Sequence, residues 1–379
     1  MKEQLWSKKY LFSLLLVFGV NMGYALLNSV MTIYGVLLTD SNIIGGYLIS
    51  VFTIAALIAR LFIKKLNEKF SNKQLLVAGL LITVIAATGY CLVEQIGLFL
   101  LCRALHGIGF GISLTCATAI SNEYVPLSRL NEGVGFTASA NTIANAIGPT
   151  LALEILGSNY DNFLALFIVL LIITAISFVL SLLVKSNTLA AKQQAGKSSS
   201  FKGIIIATIF FLAVFSQGAV NSFLAAYGQK LELGNIGLFF TIVALATLVS
   251  RFFSHKVLKI LGMRKLSFIL TIILALSVFS IAIVQSKLQL YLIAIPFGIA
   301  TGILYPIYNF RIIQTVLPSQ FAFAASIYYC SVDLGYGIGA IIWGYVVQYF
   351  NYQTIYFFAA LVLIIMAFID QFAFSKMGE

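Results

Sequence analysis

Residues 98–149 decide the fold, and at their centre residues 103–111 read RALHGIGFG. This run places Arg103 one helical turn before closely spaced glycines, inside an apolar segment. A short polar loop follows, and a second apolar segment closes on Gly148-Pro149. An arginine at membrane depth costs about 2.5 to 3.5 kcal/mol on insertion scales, so a buried one normally faces an interior cavity and a partner. The stretch therefore predicts the gating core of a transporter.

Composition places the whole chain in a membrane. Of its 379 residues 61% are hydrophobic and only 9% are charged, which is more apolar surface than a soluble core needs. A net charge of +11 is also typical of nucleic-acid binding, but here the basic residues stand in short tracts between apolar runs. We therefore exclude nucleic acid as a partner and expect the lipid bilayer instead. The cysteines lack metal-ligand or disulfide spacing, and we expect neither a metal nor a cofactor.

Twelve segments have bilayer-spanning length, which predicts an all-α integral membrane protein of two pseudo-symmetric six-helix bundles. The segments lie near residues 10–37, 45–63, 74–93, 97–120, 133–155, 162–184, 203–227, 235–253, 266–285, 288–308, 322–348 and 353–374. Most of the lysines and arginines fall in one set of alternate loops, where we also place Arg311, while Lys230 and Lys287 lie opposite. The positive-inside rule then predicts a multi-pass cell-membrane protein with both termini cytoplasmic.

Residues 185–202 form the longest polar break, rich in Ser, Ala, Gln and Lys. Such a composition is typical of a flexible linker. We expect it to join an N-terminal bundle, residues 1–184, to a C-terminal bundle, residues 203–379.

The two halves repeat each other at an offset of 191 residues over much of their length. The glycine pairs that share this register are Gly107 with Gly298, Gly111 with Gly302 and Gly148 with Gly339. Arg60 matches Arg251, and Lys73 matches Arg264. Duplication of a six-span unit is typical of transporters in which two halves rock around a substrate site at their interface.

With these features the chain resembles the major facilitator superfamily, and most closely its twelve-span drug:proton antiporters. The fourth-span motif of that family, Arg-x3-Gly-x-Gly, is met by Arg103, Gly107 and Gly109. The resemblance implies the major facilitator fold, transport rather than enzymatic activity, and antiport.

Two further motifs of the superfamily are met in part. The exporter motif of the fifth span, Gly-x8-Gly-x3-Gly-Pro, is met by Gly135, Gly148 and Pro149, with Ala144 at the middle glycine. The cytoplasmic loop motif between spans two and three survives as Glu68, Lys69 and Lys73. We expect gating or hinge roles for small residues and one proline on these helices: Gly107, Gly109, Gly111, Gly135, Gly148, Pro149, Gly335 and Gly339. Close helix packing explains the same glycines equally well.

Asp333 is the acid that we place deep within a span, whereas Glu154 lies nearer the outer end of its own. Intramembrane charges are functional by default, so we predict Asp333, Arg103 and Glu154 as the proton or cation coupling residues. Arg103 has no buried acid in its own half at comparable depth, which makes Asp333 its expected partner.

Polar and aromatic stripes at helical spacing predict the substrate cavity. The candidates are Asn21, Tyr24, Asn28, Met31, His106, Asn141, Asn145, Gln217, Asn221, Tyr305, Tyr308, Tyr329 and Tyr336. Amides also join helices to each other, and a histidine beside an apolar face is often structural, so both roles stay open.

The combined prediction is a monomeric secondary transporter that exports a small amphipathic organic compound in exchange for protons by alternating access. A proton-coupled uptake symporter with the same fold is the first alternative. A membrane-embedded enzyme or lipid-handling protein would need a cluster of nucleophiles, but His106 and His255 lie in different halves. A channel would need a filter or a ring of charges, which the sequence does not offer.

Overall fold

The computed structural model describes residues 5–126, 129–157, 159–184, 201–316 and 321–377. Within these ranges the chain is helical and contains no strand. Most of the predicted linker, residues 185–200, lies outside the described residues.

The helices follow the predicted twelve-segment pattern with one exception. Those of the first half are α1 (Lys8–Asn28), α2 (Met31–Thr39), α3 (Asn42–Leu66), α4 (Asn72–Leu92), α5 (Ile96–Glu123), α6 (Leu130–Leu156) and α7 (Phe163–Leu183). Those of the second half are α8 (Phe201–Lys230), α9 (Gly237–Leu261), α10 (Met263–Ala282), α11 (Lys287–Gln314), α12 (Phe321–Tyr349) and α13 (Tyr352–Met377). Eleven described helices are long and apolar enough to cross a membrane. α6, with 27 residues, has the length but a more polar sequence.

The exception is the first segment, which we predicted as one run over residues 10–37. The structure divides it into α1 and α2 by a turn at residues 29–30. Ser29 caps the end of α1, and the backbone N–H groups of Ser29 and Val30 both donate to the Leu27 carbonyl instead of continuing the helical pattern. Apolar length alone did not reveal this break.

The chain forms two compact units, and residues 35–50 of the first half belong to the unit that contains the second half. One comprises Met1–Tyr34 and Val51–Gln193, and the other Gly35–Ser50 and Gln194–Glu379. Within the second unit the Ser50 hydroxyl donates to the Gly337 carbonyl at 2.6 Å. These residues attach the first part of α3 to α12.

The predicted duplication is confirmed by equivalent contacts in the two halves. A Cβ added at Gly111 would lie 2.5 Å from the Ala56 carbonyl oxygen, and one at Gly302 would lie 2.8 Å from that of Thr247. Both members of the second pair lie 191 residues beyond those of the first. α5 therefore approaches the α3 backbone as α11 approaches that of α9, because glycine leaves room for a carbonyl group.

Lys73 and Arg264, which match at the offset of 191 residues, make a second equivalent contact. Lys73 Nζ donates to the Leu182 carbonyl at 3.0 Å, and Arg264 Nη2 donates to the Gln371 carbonyl at 3.3 Å. Each bond joins the start of the third long helix of its half to the end of the last. Lys73 of the predicted loop motif thus caps a helix end, which is a favourable place for a cation.

Candidate functional site

Arg103 lies inside the first unit, as its position in the sequence predicts. The side chain is 1% exposed, and its guanidinium carbon lies 4.6 Å from the centroid of the Phe52 ring. The guanidinium also interacts electrostatically with Tyr90 and His106. A desolvated cation on an aromatic face gains about 2 kcal/mol, which offsets part of the cost of its burial.

His106 is held in the same packed group. Its ring is 1% exposed and meets Phe52 edge to face, with 5.0 Å between ring centroids. His106 Nδ1 lies 3.2 Å from the Tyr90 hydroxyl, which also donates to the Cys102 carbonyl at 3.3 Å. These contacts fit the structural role that the sequence leaves open for this histidine, and its cavity role stays a prediction.

The predicted amide stripe of α1 joins two helices. Asn21 Nδ2 donates to the Asn141 carbonyl at 3.0 Å, which attaches α1 to α6. Beside it Tyr24 stacks on Phe52 and on Phe110, at centroid distances of 5.5 and 5.0 Å. The buried Oδ1 of Asn141 accepts no hydrogen bond from the described residues. A buried oxygen that accepts no hydrogen bond from the described residues is suited to accept one from a ligand.

The second unit contains a group of aromatic side chains around Gln217. We call Phe210, Tyr305, Tyr308 and Tyr328 the aromatic wall. Phe210 meets the rings of Tyr305, Tyr308 and Tyr328 at centroid distances of 4.8, 5.2 and 5.0 Å. The Phe210 ring at the centre is fully buried, and these contacts join the four rings into one packed aromatic group.

Gln217 joins this wall to α12. Its side-chain oxygen accepts hydrogen bonds from the hydroxyls of Tyr305 and Tyr336, the latter at 3.3 Å. These two contacts hold the side-chain oxygen of Gln217 between α11 and α12. The two N–H groups of Gln217 are therefore directed away from these tyrosines.

Asp333 lies in α12 one helical turn before Tyr336, and its side chain is 8% exposed. The helix is held close to α8 by glycines. A Cβ at Gly335 would lie 2.7 Å from Val214 Cβ, and one at Gly339 would lie 3.1 Å from the Phe215 carbonyl oxygen. Asp333 is buried, whereas its coupling role and its pairing with Arg103 stay predictions.

The predicted hinge in the fifth span lies in a helix that continues through Pro149. A Cβ at Gly148 would lie 2.5 Å from Ala25 Cβ, so this glycine lets α6 approach α1. Gly135 is exposed, with no atom within 4 Å of an added Cβ, and thus makes no close contact. Of the two motif glycines, Gly148 is the one with a packing role in this structure.

Comparison with known proteins gives the family. The sequence profile of the Major Facilitator Superfamily matches residues 13–234 and 206–377. The chain belongs to this superfamily. It is 23% identical over 378 residues to the staphylopine export protein of Staphylococcus aureus, which covers 93% of this chain and 92% of the relative. It is 26% identical over 151 residues to multidrug resistance protein 2 of Bacillus subtilis, across 39% of this chain and 38% of that one.

Solved structures of other transporters share the fold. The nucleoside transporter NupG superposes with a TM-score of 0.76 at 18% identity, covering 97% of this chain and 99% of its own. The POT family transporter PepTSo superposes with a TM-score of 0.81 at 9% identity, covering 98% of both chains. The predicted major facilitator fold is confirmed, and the protein is a transporter of small molecules rather than an enzyme.

Other residues predicted for this transporter lie in varied surroundings. Met31 and Gly109 are buried, whereas Asn28 and Asn221 are half-buried. Tyr329 is 56% exposed. Four more predicted residues are exposed: Asn145, Glu154, Glu68 and Lys69. Exposure of Glu154 in this structure agrees with a solvated carboxylate at the end of a span.

Sequence reasoning missed a charged pair in the second unit of the transporter. Arg311, which we assigned to a cytoplasmic loop, is 1% exposed in α11, and Asp370 in α13 is also 1% exposed. Arg311 Nη1 lies 2.7 Å from Asp370 Oδ1. The structure therefore buries a second acid, Asp370, in addition to Asp333. Each residue stands near the end of an apolar run, where charge normally indicates a loop, and only the pairing of two distant spans buries both.

Proposed function

We propose that this transporter exports small amphipathic organic compounds across the cell membrane in exchange for protons. It works by alternating access as a monomer, with both termini in the cytoplasm. The proposal extends the family assignment by a direction, a coupling ion and a substrate class.

The observation that carries the proposal is the position of Asp333. A buried carboxylate stands one helical turn from Tyr336, whose hydroxyl is bonded to Gln217. A carboxylate in a low-dielectric interior is stable when neutral, or when a cation is near. Binding of a proton and of a substrate at adjacent positions of α12 and α8 gives the two events a physical means to influence each other.

The groups around Gln217 support the substrate class. Tyr305 and Tyr328 are the partly exposed members of the aromatic wall, and a planar or apolar part of a compound can stack on their rings. The Gln217 amide offers N–H donors to a polar part of the same compound. A site with a large apolar surface and few polar groups suits an amphipathic solute.

The names of relatives support the direction. The relative that matches nearly the whole chain is named for export, and a second relative is named for multidrug resistance. Glycine contacts in each half support the rocking motion, because they tie long helices into units that can move as rigid bodies.

Direction and coupling are tested together with ethidium as the transported compound. Inverted vesicles that contain the protein are given an acidic lumen, and dye accumulation is followed by fluorescence. We expect accumulation by the wild type and by the exposed-loop control Asp161→Asn, and its loss in Asp333→Asn.

Each other outcome contradicts a stated part of the proposal. Accumulation by Asp333→Asn equal to that of the wild type refutes the role of Asp333. Gradient-driven uptake of ethidium into right-side-out vesicles, with none into inverted ones, supports the symporter alternative instead.

A further inference from the structure

We propose that the buried Arg311–Asp370 ion pair positions the aromatic wall, and thereby sets the affinity of the transporter for its substrate. The inference rests on the proposed function in taking the wall to be part of the substrate site. It assigns a role to two residues that take no part in the coupling scheme above.

The ion pair fixes a cation within a corner formed by three helices. Ser267 of α10 donates to Asp370 Oδ2 at 2.7 Å, while Asp370 Oδ1 receives Arg311 Nη1 at 2.7 Å. The guanidinium carbon lies 3.7 Å from the centroid of the Phe374 ring. Both oxygens of the carboxylate and one face of the guanidinium are thus occupied, which leaves the Arg311 side chain little rotational freedom.

From this fixed cation a series of direct contacts leads to Gln217. The Arg311 guanidinium carbon lies 5.3 Å from the centroid of the fully buried Tyr308 ring. Tyr308 stacks on Phe210 at 5.2 Å with 21° between ring planes, and Phe210 meets Tyr305 at 4.8 Å. Tyr305 donates to Gln217. A shift of Arg311 would therefore be transmitted to the amide through packed rings.

The first half of the chain shows that the fold does not need charge at this place. The offset of 191 puts Ile120 at the position of Arg311 and Leu76 at that of Ser267, and both are fully buried. The buried positions of α7 align with those of α13 at an offset of 189, which puts Ser181 opposite Asp370. Uncharged residues thus close the equivalent corner.

Buried ion pairs give little net stability relative to well-packed uncharged residues. The pair in the second half therefore calls for a role other than closing the bundle. Its contact with Tyr308, which leads to the proposed substrate site, provides one.

The test compares three variants by ethidium transport into inverted vesicles. The double variant Arg311→Ile with Asp370→Ser copies the first half. Tyr308→Leu interrupts the ring contacts without changing a charge, and Tyr291→Phe, on the same helix but outside the aromatic wall, is the control. We expect the double variant and Tyr308→Leu to raise KM about 5- to 30-fold with little change in maximal rate, which corresponds to about 1 to 2 kcal/mol of coupling. Tyr291→Phe should leave KM within about twofold of the wild type, since Tyr291 lies outside the aromatic wall and its hydroxyl bonds only the Asn235 carbonyl among the described residues.

An unchanged KM in Tyr308→Leu overturns the inference, even if the double variant fails to fold. So does a loss of maximal rate alone in a folded double variant. If the wild type moves no ethidium, the proposed function fails for this compound, and near-ultraviolet circular dichroism of the tyrosines tests by itself the inference that the ion pair positions the aromatic wall. Spectral changes of the double variant and Tyr308→Leu should then fail to add when combined, whereas additive changes overturn it.

Discussion

Replacing Gly111 by alanine tests the glycine contact on which the architecture of the first unit depends. The added methyl group would lie 2.5 Å from the Ala56 carbonyl oxygen and 3.0 Å from the Ala56 Cα atom. The first distance is about 1 Å below ordinary contact, and both neighbours are backbone atoms that cannot rotate away. α5 and α3 must therefore separate.

The expected cost follows from two opposing effects. Overpacking of a close contact costs about 1 to 3 kcal/mol. Replacing glycine by alanine within a helix stabilises it by about 0.5 to 1 kcal/mol. Gly135→Ala isolates the second effect, because its methyl group has no atom within 4 Å. The difference between the two variants should thus equal the packing cost, about 1 to 3 kcal/mol in favour of Gly135→Ala.

Thermal unfolding in detergent measures this difference. Cys116 of α5 is 1% exposed, so its reaction with a thiol dye reports the opening of the helix once the half-buried Cys91, Cys102 and Cys330 are replaced by alanine in all variants. Gly302→Ala should repeat the result in the second half, because its methyl group would lie 2.8 Å from the Thr247 carbonyl oxygen. If Gly111→Ala unfolds at or above the midpoint of Gly135→Ala, α5 and α3 do not have the close contact described.

Three further substitutions test other contacts by the same unfolding assay. Asp370→Ala should destabilise the protein by about 3 to 5 kcal/mol, because it leaves the Arg311 cation buried with its partner removed; a change below 1 kcal/mol would contradict the buried pair. Ser71→Ala should cost about 1 kcal/mol, since Ser71 and Gln74 form a capping box at the start of α4, and Ser71→Asp should restore most of it. Trp343→Phe should cost about 1 kcal/mol through loss of the 2.8 Å bond from Trp343 Nε1 to the Phe215 carbonyl; equal midpoints for variant and wild type would exclude that bond.

Much of the site was visible in the sequence as types of residue on particular helices. The burial of Arg103 and Asp333 followed from their depth in apolar runs, and both are buried. The partner of each amide did not follow. Asn21 bonds to the Asn141 carbonyl, and Gln217 accepts from two tyrosines of other helices. Helical spacing gives the face on which a residue lies, but it does not give the neighbouring helix.

The sequence by itself determined the membrane location, the helical class, the duplication and the superfamily. Apolar length is a property of each segment alone, and a repeat is a property of the order of residues, so neither needs contacts to be recognised. The tertiary structure alone decided that α1 ends at Asn28, that Ser50 bonds within the second unit and that Arg311 meets Asp370. The last two contacts join residues far apart in the chain, and the desolvation that makes such a pair costly arises only when separate helices close around it.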